Sequence, residues 1–213
     1  MPLMTLLAIP ATAATYFVSE TSTVGTVVPD NDDVGVVDAI TISGQDPGVV
    51  VDLSVNLVFS GGWNGDLYCY LVSDTGFTVL LNRPGRTSSN PDGAASSGMD
   101  ITLADGAATD VHVGLPLSGA NVTGTFQPDG RETDPASVLD TDARTALFDS
   151  FHGIDPNGTW TLFVADQAAG ATSTLESWTL NLTVIPEPES CVMFGLAAML
   201  LLRRKRSRWE GRR

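Results

Sequence analysis

Apolar and polar positions alternate with a period of two along most of this chain. Val49, Val51, Leu53, Val55, Leu57 and Phe59 interleave with Val50, Asp52, Ser54, Asn56 and Val58, which predicts a strand with one face toward a core. Trp178, Leu180, Leu182 and Val184 alternate in the same way with Thr179, Asn181 and Thr183, and Trp160, Leu162 and Val164 repeat the pattern. Turn-forming clusters separate such runs: Gly61-Gly62, Asn64-Gly65-Asp66, Asp74-Thr75-Gly76, Arg83-Pro84-Gly85 and Asp155-Pro156-Asn157-Gly158. The segment 87–98, rich in Ser, Gly, Asn and Ala, reads as a loop. One short helix is expected over 136–150, where Leu139, Ala143 and Leu147 share a face.

Short strands bounded by turns, without long helical stretches between them, predict an all-β fold. The expected architecture is an antiparallel, jelly-roll-like β-sandwich over residues 24–185, with a hydrophobic tail helix at the carboxyl end. A body of about 170 residues is long enough to bury roughly 70% of its unfolded surface in one core.

Charge sharpens the picture. Seven of the eleven basic residues follow Leu202, while residues 16–185 hold 22 acidic residues against four arginines, a balance of −18. Such a surface repels phosphate backbones and excludes nucleic acid as a partner. A divalent cation or a cationic partner suits it, as does plain solubility. Of the two cysteines, Cys69 alternates with Leu67 and Leu71 and is expected to pack as a small buried hydrophobe, and Cys191 lies in the tail.

Candidate chemistry is sparse. Two histidines, His112 and His152, and no Gly-x-Ser-x-Gly elbow argue against nucleophilic catalysis, and zinc would need more His or Cys. Paired carboxylates for glycoside hydrolysis have no readable spacing here. Calcium is the metal best matched to acidic loops, with Asp30, Asp32, Asp33, Asp155 and Asp166 as candidate ligands, although solvated acidic turns have the same composition. Trp63, Tyr68 and Tyr70 around a glycine-rich turn are candidates for a sugar-stacking face, or equally for core packing.

The two ends carry address signals. Residues 1–14 contain an apolar stretch followed by Ala11-Thr12-Ala13, the form of a secretory signal, though no basic residue precedes it. At the other end, Pro186-Glu187-Pro188 leads into an apolar core at 191–202, then Arg203-Arg204-Lys205-Arg206 and further arginines to 213. This arrangement over 186–208 resembles the PEP-CTERM sorting signal of bacterial exported proteins. The resemblance implies processing by an exosortase-type membrane protease, transient anchoring in the bilayer, and an extracellular or cell-envelope destination. That sorting system's association with exopolysaccharide producers makes an extracellular polysaccharide a candidate ligand.

A second resemblance lies in the body. Asp155-Pro156-Asn157-Gly158-Thr159-Trp160-Thr161-Leu162, then Val164-Ala165-Asp166, then Leu175-Glu176-Ser177-Trp178-Thr179-Leu180 is similar to the P domain (P/Homo B) of proprotein convertases. Asp66-Leu67 with Leu71-Val72-Ser73-Asp74-Thr75-Gly76, and Thr123-Gly124-Thr125-Phe126-Gln127-Pro128, extend it over 34–184, with Asp74 standing where the family has proline. The resemblance implies a jelly-roll sandwich without catalytic residues that stabilises a neighbouring protease. In such a fold Trp160 and Trp178 would be inward anchors and Gly158 would sit in a tight turn. The expected function is a non-catalytic exported protein. A polysaccharide-binding module and a protease-associated domain are the alternatives.

Overall fold

The computed structural model describes residues 14–187, so most of the expected amino-terminal signal, most of the expected sorting tail with its expected helix, and Cys191 lie outside the described residues. Nine strands form two sheets packed face to face: β1 (Tyr16–Val27), β2 (Asp32–Ile42), β3 (Gly48–Gly61), β4 (Leu67–Val72), β5 (Phe77–Asn82), β6 (Ser97–Ala104), β7 (Ala120–Phe126), β8 (Gly158–Asp166) and β9 (Ser173–Pro186). One sheet has the order β1-β9-β3-β6-β7, the other β2-β8-β4-β5. The all-β sandwich expected from the alternation is present, and its first strand opens at Tyr16, upstream of residue 24.

Two features depart from the expectation. Neighbouring strands are antiparallel except β6 and β7, which run parallel. Parallel neighbours need a crossover in place of a hairpin. The segment 105–119, with the single-turn helix α1 (Val111–Gly114), supplies it. Second, no α-helix forms over 136–150, where turns lead to a 3-10 turn at Phe148–Phe151. Side chains have taken the backbone groups a helix would use. Asp134 accepts from the Ala136 N–H at 2.8 Å and Asp142 from the Leu139 N–H at 2.9 Å. Arg86 donates to the carbonyls of Pro135 and Val138, and Arg131 donates to that of Asp140. Such side-chain bonds stabilise turns at the expense of helix.

The alternation in β3 also needed a correction. Val50, not Val49 or Val51, faces the core, because a bulge between Val50 and Asp52 resets the phase before Leu53, Val55, Leu57 and Phe59 point inward.

The core lies between the sheets. Trp160 of β8 and Trp178 of β9 are its largest buried side chains. The Trp160 indole packs 5.1 Å from the Phe151 ring and donates to the Pro156 carbonyl at 3.2 Å. Trp178 donates across the sandwich to Asp38 of β2 at 2.7 Å, so its polar atom is satisfied without leaving the core. Gly158 opens β8 at φ +139°, a conformation that a side chain would strain. Cys69 is buried between Leu67 and Leu71, and burial pushes its thiol up, away from reactivity. The strap 127–146 closes the edge of β5: the Asp129 and Gly130 N–H groups donate to Leu80 and Val79, and the Val79 N–H donates to Ala146.

Candidate functional sites

Three polar or aromatic clusters stand out, and the strands place each one. The first lies under the strap. Asp129, fully buried, accepts from His112 Nδ1 at 2.9 Å, from Arg131 at 3.1 Å and from the Asn82 N–H at 3.2 Å. His112 Nε2 meets the Arg86 carbonyl at 2.8 Å. Both ring nitrogens therefore face acceptors, which requires the doubly protonated imidazolium. Burial alone would lower the His112 pKa, but the hydrogen bond and charge of Asp129, with the Arg86 carbonyl, outweigh it and raise the pKa. Arg131 extends the network to Asp110 at 3.3 Å, and Arg144 donates to the carbonyls of Asp129 and Pro128. With both nitrogens engaged, His112 has no free site for general-base work. The cluster ties strap to sheet.

The second cluster lies at the end of the sandwich where β8 finishes. Asp166 is the last residue of β8 and pairs with both Asp32 of β2 and Leu67 of β4. Asp66 immediately precedes β4 in a 3-10 turn, Asn64–Asp66, and its carbonyl accepts from the Gln167 N–H at 2.8 Å. Asp30 reaches in from the turn before β2 and accepts from the Gly170 N–H at 3.0 Å. Desolvation, then the nearby Asp166 charge, raises the Asp66 pKa to about 6 against the opposing pull of Arg83. Desolvation also raises Asp166, against the hydrogen bond its Oδ1 accepts from the Ala168 N–H at 3.1 Å. Arg83, itself buried, approaches Asp66 Oδ1 at 3.5 Å.

These positions sort the candidate ligands. Asp30, Asp32 and Asp166 come to one end of the sandwich, and Asp33 is exposed near the start of β2. Asp155 does not join them. It sits before the opposite end of β8, roughly 27 Å of strand away. There it accepts from the Asn157 N–H at 2.8 Å beside a hollow of about 300 Å3 lined also by Asp74 and Gly158. Among the described residues no three His, Cys, Asp or Glu side chains converge as a ready-made metal cage. Asp66 was missed in sequence because it read only as part of a turn. Its signal was its place directly before the buried run of β4.

The third cluster is aromatic, on the outer face of the four-stranded sheet. Tyr70 stacks on Phe163 at 4.7 Å, with Phe77 at 5.4 Å and Tyr68 at 5.9 Å from Tyr70. All four are half-buried, and desolvation, with smaller contributions from neighbouring groups, pushes the Tyr68 hydroxyl up to about 12. Trp63 is not part of this row. Its ring lies over Gly170, beside the carboxylate end, and is 45% exposed.

Comparison with known proteins bears on the region running from the strap through β8 to β9. Residues 128–182 match the family model of the proprotein convertase P-domain. The match takes in Asp129, Arg131, Gly158, Trp160, Asp166 and Trp178, which is the carboxyl-terminal part of the resemblance read from the sequence. No curated protein matches the chain. Among solved structures, the Aeromonas sobria serine protease in complex with its chaperone is similar at 16% identity and a TM-score of 0.46. That alignment covers 82% of this chain but 28% of the protease chain, so this chain spans less than a third of it.

Proposed function

We propose that this protein is a non-catalytic, P-domain-like module of the cell envelope or extracellular space, delivered by its PEP-CTERM-like tail. The P-domain match over 128–182 carries this reading. The chemistry of the matched segment agrees with it. Its ionisable groups include Asp129, Arg131 and Arg144, all of which are spent on holding the strap. His112 is consumed by Asp129 and a carbonyl, and His152 is exposed after the 3-10 turn. β9 leads directly into the tail through Pro186, and the Glu187 N–H still bonds the Pro47 carbonyl. The Pro186-Glu187-Pro188 segment thus starts at the end of β9.

Two measurements test this. Purified protein should show no hydrolysis of peptide or glycoside substrates, and activity that one substitution within it abolishes would overturn the non-catalytic reading. Cells expressing the intact chain should retain it in the envelope, whereas a chain truncated before Pro186 should be released. Identical fractionation would remove the sorting role.

A second reading rests on the aromatic row. Tyr68, Tyr70, Phe77 and Phe163 offer ring surface on an outer sheet face, which suits stacking against an extracellular polysaccharide. Glycan-array binding that is lost on Tyr70→Ala would favour it over a purely structural cluster.

A further inference from the structure

The carboxylate end of the sandwich is electrically incomplete. Asp66 and Asp166 are 2% and 0% exposed, and in each the Oδ2 atom has no hydrogen-bond partner. Asn64, fully buried in the same 3-10 turn as Asp66, leaves its Oδ1 without a partner as well. Buried polar atoms are nearly always paired, and orphaned carboxylate oxygens are among the costliest exceptions. Eight buried side-chain atoms among the described residues have no partner, but only here are two of them carboxylate oxygens, and that points to a missing electrophile. Arg83 is the cation in contact, and it reaches Asp66 at only one oxygen.

Two species answer such a need: a proton shared between the carboxylates, or a metal cation. A shared proton would leave the Asn64 oxygen unanswered. A cation answers all of these at once, and the −18 balance of the body draws cations toward it. The donors are all hard oxygens, which selects calcium or magnesium over zinc or copper. They are carried by the 3-10 turn Asn64–Asp66 and by the end of β8. Flexible loops supplying six to eight oxygens, water included, suit calcium better than the strict octahedron of magnesium. No three carboxylates converge among the described residues, so the protein would offer two buried carboxylates and one neutral oxygen.

We propose that Asp66 and Asp166 are the principal ligands of a calcium site at this end of the sandwich, with Asn64 Oδ1 as a neutral oxygen ligand and water completing the shell. The site would pin the turn before β4 onto the end of β8.

The test uses the full-length chain, stripped with chelator and titrated with calcium chloride or magnesium chloride. Calcium should bind at one equivalent by calorimetry and raise the melting temperature by roughly 5 °C or more, with a smaller rise for magnesium. Asp66→Asn and Asp166→Asn should each abolish the calcium response, while Asp155→Asn, at the opposite end, should keep it. Terbium luminescence gives a measurement that does not depend on the carboxylate variants folding. Trp63, adjacent to Asn64, should sensitise bound terbium, and Trp63→Phe should remove most of that emission. Equal responses to the two ions, retained in Asp166→Asn, would show diffuse screening and overturn the site. No calcium response, together with a higher metal-free melting temperature for Asp66→Asn, would show a shared proton and overturn it too. Terbium emission unchanged by Trp63→Phe would place the ion elsewhere.

Discussion

The two buried ionic clusters were built by opposite rules. Under the strap, Asp129 is matched by a guanidinium, an imidazolium and a backbone N–H. At the end of β8, one of two buried carboxylates meets an arginine, and each keeps an unpartnered oxygen. Burial is nearly the same in both, so burial does not distinguish a structural ionic cluster from a binding site. The carboxylate oxygens do: both oxygens of Asp129 are engaged, although Arg131 Nε and Asn82 Oδ1 beside it have no partner. A carboxylate with both oxygens engaged stabilises the fold as it stands, and one with an orphaned oxygen leaves room for a further partner.

The largest expected effect tests the finished side. Asp129→Ala leaves Arg131 and His112 charged and buried without their partner and should cost about 3–5 kcal/mol in chemical denaturation. A loss under 1 kcal/mol would mean the network is ornamental. A smaller effect concerns His112, whose pKa is raised in the folded state. The folded protein binds this proton more tightly than the unfolded chain. Its contribution is therefore full below the ordinary histidine value of about 6.5 and is lost as pH rises through the higher folded value. Denaturation midpoints should fall from pH 6 toward pH 9, and Asp129→Asn should flatten that slope. Stability that rises across this range would place the neutral ring in the folded state. The smallest effect tests the unfinished side. In metal-free buffer Asp166→Asn should change stability little, with a gain of at most about 1 kcal/mol, because it removes an unpaired buried charge. A loss as large as that of Asp129→Ala would erase the contrast between the clusters.

Much of the fold could be read from the residues, because a sandwich writes its inner faces as a period of two. The inward positions of Leu53 to Phe59, of Trp160 to Val164 and of Trp178 to Val184 all follow that rule. The rule failed where one residue was inserted. The bulge at Val51 leaves no compositional mark, since Val49, Val50 and Val51 are identical. It failed again at 136–150, where spacing suggested a helix but Arg86, distant in sequence, and Arg131 captured the carbonyls. The candidate site was half legible. Acidic turns announced Asp30, Asp32 and Asp166, yet nothing local separated them from Asp155, and Asp66 looked like one more turn residue.

The sequence by itself determined the class of fold, its buried anchors and the acidic character of its surface, because these depend on local alternation and on counts. Which acids meet was decided only in the tertiary structure. Asp66 and Asp166 are a hundred residues apart in the chain, and it is the pairing of β4 with β8 that brings their turns together and shuts water out. The same pairing carries Asp155 to the far end. Partner choice for a buried charge depends on register and desolvation, and neither exists before the sheets pack.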